Sequence, residues 1–361
     1  MNNLTSKEKS KLFSIFENID EDEIKNSQSK TANSDILLID GNNTFMRAFM
    51  ANPALDDNGE HIGGIDGFFK SIGYAIRMVK PTRCIVIFDG HGGSQRRRKI
   101  YKDYKSKRRV RMRLNRVYDD ATTPSMTDKG VLRQMQVIAQ MIKSLPLTMM
   151  AIENIEADDT ISFLATEMFN NDKTNSVTIM SADKDFYQLI NDKVKVWSPT
   201  KKKMYGRKEI FDEYNITSRN FVFYRILDGD KSDNIDGVKG IGMKTAIKAF
   251  PILSEETQFS LEDLINESKD NSNGSLKAYK SISENEDIIR RNYSLMQLSK
   301  TDVSSFAKIK IQDIVARDVK PSNVFEFTKL LKKYNLFSVF KAHHIWLKET
   351  FEILDHFTKV K

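Results

Sequence analysis

The stretch RILDGDKSDNIDGVKGIGMKTAIK, residues 225–248, sets the organisation of the rest of the chain. Within it Asp230 and Asp233 are three residues apart, so a helix end or a tight turn would direct both carboxylates toward one point. Divalent hard cations prefer carboxylate oxygens placed in this way. The stretch therefore predicts metal ligands, although a lone pair of aspartates at this spacing is more often solvated surface.

Directly after these acids the sequence reads GVKGIG, residues 237–242, and a helix is predicted over 243–250. Glycines let the backbone turn tightly and come close to a ligand. The N-terminus of the following helix offers unpaired N–H groups to a phosphate, and Lys239, Lys244 and Lys248 add positive charge. A single glycine-rich turn is more often an ordinary turn, so the phosphate-binding interpretation depends on the other acids of the chain.

Apolar runs upstream predict a buried parallel sheet. The runs DILLID and CIVIFD end in Asp40 and Asp89, and a helix is predicted between them over 64–80. Further strands are predicted at TMMAI, SVTIM and VKVWSP, with a helix over 130–145. Continuous apolar runs suit parallel strands buried on both faces. We therefore expect an α/β fold, with a mostly parallel central sheet and helices on both faces.

Eight acids follow predicted strands or begin predicted helices and turns: Asp40, Asp89, Glu156, Asp158, Asp183, Asp185, Asp230 and Asp233. Because open α/β sheets place their sites at the carboxyl ends of strands, we expect these acids to share one edge. Crowded carboxylates need cations, and the chain has no Cys or His spacing typical of zinc. Oxygen ligands alone select magnesium, manganese or calcium. Two such ions can activate a water and stabilise the leaving oxygen of a phosphodiester.

Positive charge is concentrated in one block. The chain has a net charge of +8, and residues 96–116 contain twelve Lys or Arg and one acid, Asp103. Nucleic acid is the natural partner of such a block, and Tyr101 and Tyr104 add rings on which bases can stack. A solvated basic helix face is the alternative. Like-charged neighbours at helical spacing predict that a helix over roughly residues 94–116 is marginal, so this segment is mobile alone and orders on a nucleic-acid strand.

Composition excludes several classes of protein. The single cysteine, Cys84, rules out intramolecular disulfides and lies in an apolar run that indicates packing. No apolar run reaches the length of a membrane span, and the N-terminus lacks a signal-peptide pattern, so we expect a soluble, cytoplasmic protein. The predicted organisation is a flexible N-terminal extension over 1–34, a core over 35–252 and a helical C-terminal region over 253–361. We favour an ordinary tail over a partner-binding peptide for the extension.

The motifs LLIDGNN, FDG, YKSKR, EADD, SADKDF with WSPTKKK, and LDGDKSDNIDGVKGIGMKTA occur in this order between Asp35 and Ala246, about 60% of the chain. With them the chain resembles the flap endonuclease / 5′→3′ exonuclease superfamily, most closely the bacteriophage RNase H type. The resemblance implies an active site at the edge of a parallel sheet. It also implies a helical arch over the site, about residues 94–130, and a helix–hairpin–helix, about 221–250, that binds duplex phosphates.

The resemblance also implies roles for individual residues. The first metal site would be lined by Asp40, Asp89, Glu156, Asp158 and Asp183, and the second, weaker site by Asp185, Asp230 and Asp233. Asp159 would lie beside these ligands. The catalytic residues of the arch would be Lys105 and Arg108. The nucleic-acid contacts would be Arg96, Tyr104, Gly237, Gly240, Gly242, Lys244 and Thr245.

The implied activity is that of a structure-specific 5′ nuclease with two Mg²⁺, for which Mn²⁺ can substitute, and a K⁺ at the hairpin. Its partners would be branched or nicked DNA and RNA–DNA duplexes with a 5′ end or flap, with RNA primers of lagging-strand fragments as the target. Replication proteins such as a single-strand binding protein and a sliding clamp would assist a monomer in the host-cell cytoplasm.

Two alternatives remain open at this point. A non-catalytic structure-specific DNA-binding module would keep the hairpin and the basic block but lose several acids, whereas all eight are present. A haloacid-dehalogenase-type phosphatase needs DxDx[TV] after its first strand, whereas this chain reads DGNN from Asp40.

Overall fold

A computed structural model describes residues 30–106, 124–257, 259–300 and 303–358. Its main sheet has six strands in the order β3-β2-β1-β4-β5-β6, and all neighbours are parallel except β5 and β6. The strands are β1 Asp35–Asp40, β2 Arg83–Asp89, β3 Thr148–Ile152, β4 Ser176–Met180, β5 Val194–Ser198 and β6 Lys203–Tyr205. The predicted mostly parallel sheet is confirmed. The sequence missed β6, because a strand of three residues is too short to show an alternating pattern.

A second, two-stranded antiparallel sheet is formed by β7 Gly229–Asp230 and β8 Ile235–Asp236. The helices are α1 Gly41–Ala51, α2 Gly63–Val79, α3 Gln95–Ile100, α4 Pro124–Ile142, α5 Ala157–Phe163, α6 Arg207–Tyr214, α7 Phe221–Asp228, α8 Met243–Ala249, α9 Leu261–Asp270, α10 Lys277–Ser283, α11 Glu286–Met296, α12 Ser305–Ala316, α13 Val324–Lys333 and α14 His343–Phe357. Helix α9 begins at a capping box formed by Ser260 and Asp263 and ends at Asp270, within the polar sequence ESKDNSNGS.

The central strands are buried on both faces. Ile36 and Leu38 of β1 pack in one hydrophobic cluster, and Leu37 and Ile39 pack in the other. All four side chains are fully buried, as the continuous apolar run predicted. Cys84 is 1% exposed and belongs to the second cluster, which confirms its packing role.

The C-terminal helices complete both clusters. Phe327 of α13 and Phe351 of α14 pack with Phe69 of α2 in one cluster, and Ile311 of α12 belongs to the other. Residues before and after position 252 share the same hydrophobic clusters. The boundary between the core, 35–252, and the C-terminal region, 253–361, stays a prediction.

The strand order reverses direction at β1, which lies between β2 and β4. Open α/β sheets bind ligands outside the carboxyl ends of the strands at such a point. The N-terminal extension up to residue 29, and residues 107–123 of the predicted arch, lie outside the described residues. No helix in the described part of the chain combines the length and apolar character that crossing a bilayer requires.

Candidate metal centre

The ends of three parallel strands bring the first acids together. Asp40 is the last residue of β1, Asp89 is the last residue of β2, and Asp183 follows β4 by three positions. Asp40 is 5% exposed and accepts hydrogen bonds from the Asn43 backbone N–H at 3.0 Å and from Ser181 Oγ at 2.9 Å. These bonds fix the start of α1 and tie the end of β1 to the segment after β4.

Asp89 positions the next acidic segment. Its Oδ1 accepts a hydrogen bond from the backbone N–H of Ala157 at 2.7 Å, and its Oδ2 accepts one from Asn42 Nδ2 at 2.6 Å. Ala157 is the first residue of α5, and the acids Glu156 and Asp158 flank it. The carboxylate at the end of β2 therefore anchors the helix start that presents two further carboxylates to the same edge.

Glu156 is 1% exposed and is surrounded by cations. Its Oε1 accepts a hydrogen bond from Lys105 Nζ at 2.5 Å, and its Oε2 accepts one from Arg97 Nη1. The Tyr104 hydroxyl donates to Oε2 at 3.3 Å. Burial by itself would raise the pKa of Glu156, but Arg97 and Lys105 hold that pKa below its ordinary value. Glu156 is therefore ionised without any bound metal.

Asp40, Asp158 and Asp183 differ from Glu156, because their pKa values are raised and not lowered. Burial raises the pKa of Asp40 to about 6 and the pKa of Asp183 to about 8, and the neighbouring charge of Asp185 adds to the effect on Asp183. Burial also raises the pKa of Asp158, and Asp40 and Asp183 raise it further. These carboxylates repel one another through a desolvated environment, so a cation among them would be strongly favoured.

The acids of the opening stretch join this row through a tight turn. Carboxylate oxygens of Asp183, Asp185 and Asp230 all lie within 4.8 Å of one another. Asp233, between β7 and β8, accepts a hydrogen bond on its backbone carbonyl from the N–H of Lys105 at 2.8 Å. A small cavity is lined by Tyr104, Asp158, Asp183, Asp185 and Asp233, among other residues.

The oxygen donors fit a hard divalent cation, since three carboxylates converge and no Cys or His is among them. The carboxylate of Asp183, which the resemblance assigns to the first site, also converges with those of Asp185 and Asp230. The charges of Asp40 and Asp183 both raise the pKa of Asp158. Asp183 thus connects the two groups of acids.

The predicted arch residues are described only in part. Lys105 lies beside Glu156, with its Nζ 4.8 Å from the centroid of the Tyr104 ring. Tyr104 is 2% exposed, so the ring is covered in this structure and its stacking on a nucleotide stays a prediction. Arg96 is partly exposed on α3. Arg108 lies outside the described residues.

The glycine-rich turn has a buried and an exposed part. An added Cβ at Gly237 would collide with the backbone of Leu227 and Asp228, so this glycine is required for packing. Gly240, with φ of +84°, and Gly242 both face open space. Lys244 is exposed and Thr245 is half-buried on α8. The predicted nucleic-acid contacts Gly240, Gly242 and Lys244 are thus exposed, whereas Gly237 packs against the backbone at the end of α7.

Two buried arginines were not predicted from the sequence. Arg97 is 3% exposed and binds Glu156 and Asp159, and Arg225 binds Asp185 and Asp230. Arg97 was counted among the twelve positive charges of the basic block, and Arg225 is the first residue of the opening stretch. The sequence spacing between each arginine and its acids does not predict these ion pairs, because the partners lie on separate helices, strands and turns.

Comparisons with known proteins identify the class. The family described as "5′-3′ exonuclease, N-terminal resolvase-like domain" matches residues 35–215, half of the chain. A 5′-3′ exonuclease of Aquifex aeolicus is 30% identical over 213 residues, covering 59% of this chain and 67% of that protein. DNA polymerase I of Thermus thermophilus is 32% identical over 214 residues, which cover 59% of this chain but only 23% of the polymerase.

A solved structure shares the fold. The bacteriophage T5 flap endonuclease, in a complex with DNA and metal ions, superposes with a TM-score of 0.58 at 19% identity, covering 85% of this chain and 99% of that chain. The family match and the named exonuclease relative place the protein among the phosphodiester hydrolases. The chain belongs to the 5′-3′ exonuclease family, within the flap endonuclease / 5′-3′ exonuclease superfamily.

Proposed function

We propose that this protein is a divalent-metal-dependent, structure-specific 5′ nuclease that removes nucleotides or short flaps from 5′ ends at branched or nicked duplexes. RNA primers of lagging-strand fragments are its proposed target. One observation carries the proposal: a continuous row of carboxylates, from Asp89 to Asp230, along the carboxyl edge of a parallel sheet. A protein that only binds DNA would have no use for so many desolvated carboxylates.

The proposed cofactors are two Mg²⁺, with Mn²⁺ as a substitute. Asp40, Asp89, Glu156, Asp158 and Asp183 would hold one ion, and Asp185, Asp230 and Asp233 would hold the other. The raised pKa values of Asp40, Asp158 and Asp183 support this assignment, because they show negative charge that the protein leaves uncompensated. When bound, the two ions supply an activated water and stabilise the leaving oxygen.

Lys105 and Arg108 are the proposed catalytic cations of the chain itself. Two hydrogen bonds position Lys105: its backbone N–H donates to the Asp233 carbonyl, and its Nζ donates to Glu156. From this position its ammonium can turn from Glu156 toward a phosphate held at the acidic row. There it would stabilise the negative charge that develops on the scissile phosphate. Arg96 and Tyr104 are proposed to contact the strand near the cleaved bond.

The glycine-rich turn is proposed to bind duplex phosphates, with a K⁺ held by its carbonyls. Gly240, Gly242 and Lys244 are exposed, while Val238 and Ile241 anchor the turn in the hydrophobic core. Backbone N–H groups reach phosphates but carry no base information. Further proposed partners are a single-strand binding protein and a sliding clamp, acting with a monomeric enzyme.

The proposal is tested with a flap substrate labelled at its 5′ end, incubated with and without Mg²⁺. We expect release of the flap and of shorter 5′ products only with metal, and no release by Asp158→Asn. Asp313→Asn, at an exposed acid on α12, is the matched control and should cleave normally. Binding of the flap without cleavage in Mg²⁺ or Mn²⁺ would instead favour the non-catalytic DNA-binding module.

A further inference from the structure

Asp185 and Asp230 share a buried cation that belongs to the protein itself. Arg225, on α7, has a side chain that is 7% exposed. Its Nε donates to Asp185 Oδ1 at 2.6 Å, and its Nη2 donates to Asp230 Oδ2 at 2.7 Å. Its Nη1 donates to the Gly229 carbonyl at 3.1 Å. All three nitrogens of the guanidinium are therefore engaged. Two donate hydrogen bonds to carboxylates, and Nη1 also lies 3.8 Å from Asp228 Oδ2.

These two carboxylates are also members of the trio that converges with Asp183. The second oxygen of Asp230 is occupied as well, because Oδ1 accepts hydrogen bonds from the backbone N–H and the hydroxyl of Ser232 at 2.7 and 2.6 Å. A divalent cation at this trio would therefore bind two carboxylates that already share their charge with the guanidinium. The arginine and the metal thus draw on the same negative charge.

We propose that Arg225 is a positioning residue that acts as the built-in counter-cation of the second metal site. It holds Asp185 and Asp230 in place without metal, and it lowers the affinity of the site for a divalent cation. The inference rests on the proposed function, which assigns these acids as metal ligands. A guanidinium bound to two carboxylates offsets much of the charge that would attract a metal. Without it, the same buried carboxylates would repel one another.

In the first group the described ion pairs of the proposed ligands are confined to Glu156, which binds Arg97 and Lys105. Among the described residues, neither Asp40 nor Asp158 takes part in an ion pair. The two groups therefore differ in how far the protein neutralises them. The group around Asp40 fills with metal first, and the group bound to Arg225 fills at a higher concentration.

Manganese binding by the full-length protein, measured without DNA from the EPR signal of free Mn²⁺, tests the inference. We expect two classes of site in the unaltered protein. In Arg225→Met the weaker class should tighten by about tenfold or more, while the melting temperature in EDTA falls. Arg225→Lys keeps the charge but cannot bridge both acids in one plane. It should therefore leave the weaker class close to its original affinity and lower the melting temperature less.

The matched control is Arg290→Met. Arg290 also bridges two acids, Glu262 and Glu286, but does so on the surface. It should change neither class of Mn²⁺ site. If Arg225→Met does not fold, Arg225→Gln carries the test, because glutamine retains hydrogen bonding and loses the charge.

Two results would overturn the inference. Unchanged Mn²⁺ binding, with a melting temperature lowered equally in EDTA and in Mn²⁺, would reduce Arg225 to a structural residue. A weaker class that loosens in Arg225→Met would mean that the arginine aids metal binding instead of opposing it. An unaltered protein that binds no Mn²⁺ at all would contradict the proposed function itself, so the two failures are distinguishable.

Discussion

Arg97 forms a two-pronged ion pair with Asp159, through Nη1–Oδ2 at 2.7 Å and Nη2–Oδ1 at 2.9 Å. The same guanidinium binds Glu156, and its Nε donates to the Leu295 carbonyl at 2.8 Å. Arg97 therefore joins α3, the start of α5 and the end of α11. Asp159 was expected beside the metal ligands. Both of its carboxylate oxygens accept hydrogen bonds from Arg97. Asp159 therefore positions Arg97, which in turn binds Glu156.

Removal of this arginine should destabilise the whole fold. Arg97→Ala leaves Glu156 and Asp159 buried without their main cation, and breaking a buried ion pair in this way costs about 3–5 kcal/mol. Urea unfolding followed by circular dichroism measures the loss. Arg290→Ala, which removes an exposed arginine from its ion pairs, should have little effect because solvent screens those pairs. An equal loss of unfolding free energy in the two variants would show that the buried ion pairs of Arg97 stabilise the fold no more than exposed ones do.

Asp183→Asn should abolish cleavage and leave DNA binding largely intact. Asparagine can still accept the hydrogen bond from the Asp185 N–H, now 2.8 Å from Asp183 Oδ1, so the local backbone is kept. It lacks the charge that links the two groups of acids. Losing a metal that activates water costs several kcal/mol in the transition state, or roughly a thousandfold or more in rate.

Single-turnover cleavage in Mg²⁺ and flap binding in Ca²⁺ separate the two effects of Asp183→Asn. Asp313→Asn serves as the control. Turnover close to that of the unaltered protein would remove Asp183 from the metal centre.

The benefit of metal to stability should depend on pH. In the metal-free fold, the pKa of Asp40 is raised to about 6 and that of Asp183 to about 8, above their ordinary value of 3.8. A raised carboxyl pKa stabilises the fold fully below that ordinary value. This contribution is lost as the pH rises from 3.8 to about 6 for Asp40 and from 3.8 to about 8 for Asp183. A divalent cation binds the ionised form and compensates the loss.

We therefore expect Ca²⁺ to raise the melting temperature more at pH 8 than at pH 6, relative to EDTA. Differential scanning fluorimetry measures both shifts, and Asp183→Asn should flatten the difference between them. An equal Ca²⁺ effect at the two pH values would contradict the prediction.

The sequence predicted the sheet and the position of the acids because both follow from local patterns. The runs ILLI and CIVIF are buried on both faces, and Asp40 and Asp89 end them. The partners of the acids could not be predicted. Charge counting treats all cations of a basic block alike, whereas Arg97 is buried and the adjacent Arg98 is exposed. Contacts with α5 and α11 distinguish them, and the contact with Leu295 of α11 spans almost two hundred residues.

A bulky residue at Gly240 should weaken binding to flap and plain duplex alike, with little effect on single strands. Gly240 has φ of +84° and an open side, so Gly240→Val would strain the turn and move its N–H groups away from a phosphate. Gly59→Val is the matched control, since Gly59 is exposed, has φ of +80° and also faces open space. Fluorescence anisotropy with duplexes of different sequence provides the readout. Weakening confined to particular base sequences would mean that the turn reads bases.

Lys105→Ala should lower single-turnover cleavage far more than flap binding. Its ammonium binds Glu156 at 2.5 Å, and its charge counteracts the rise in the pKa values of Asp40 and Asp158. Loss of a cation that stabilises developing charge costs about 10²–10³-fold in rate. Lys102→Ala is the control, because it removes the same charge from an exposed position three residues away. It should weaken binding slightly and leave the rate of bound substrate unchanged. Equal rate losses in Lys105→Ala and Lys102→Ala would show that Lys105 only attracts DNA. A Lys105→Arg variant that keeps most of the cleavage rate would confirm that the cation acts at the reacting phosphate.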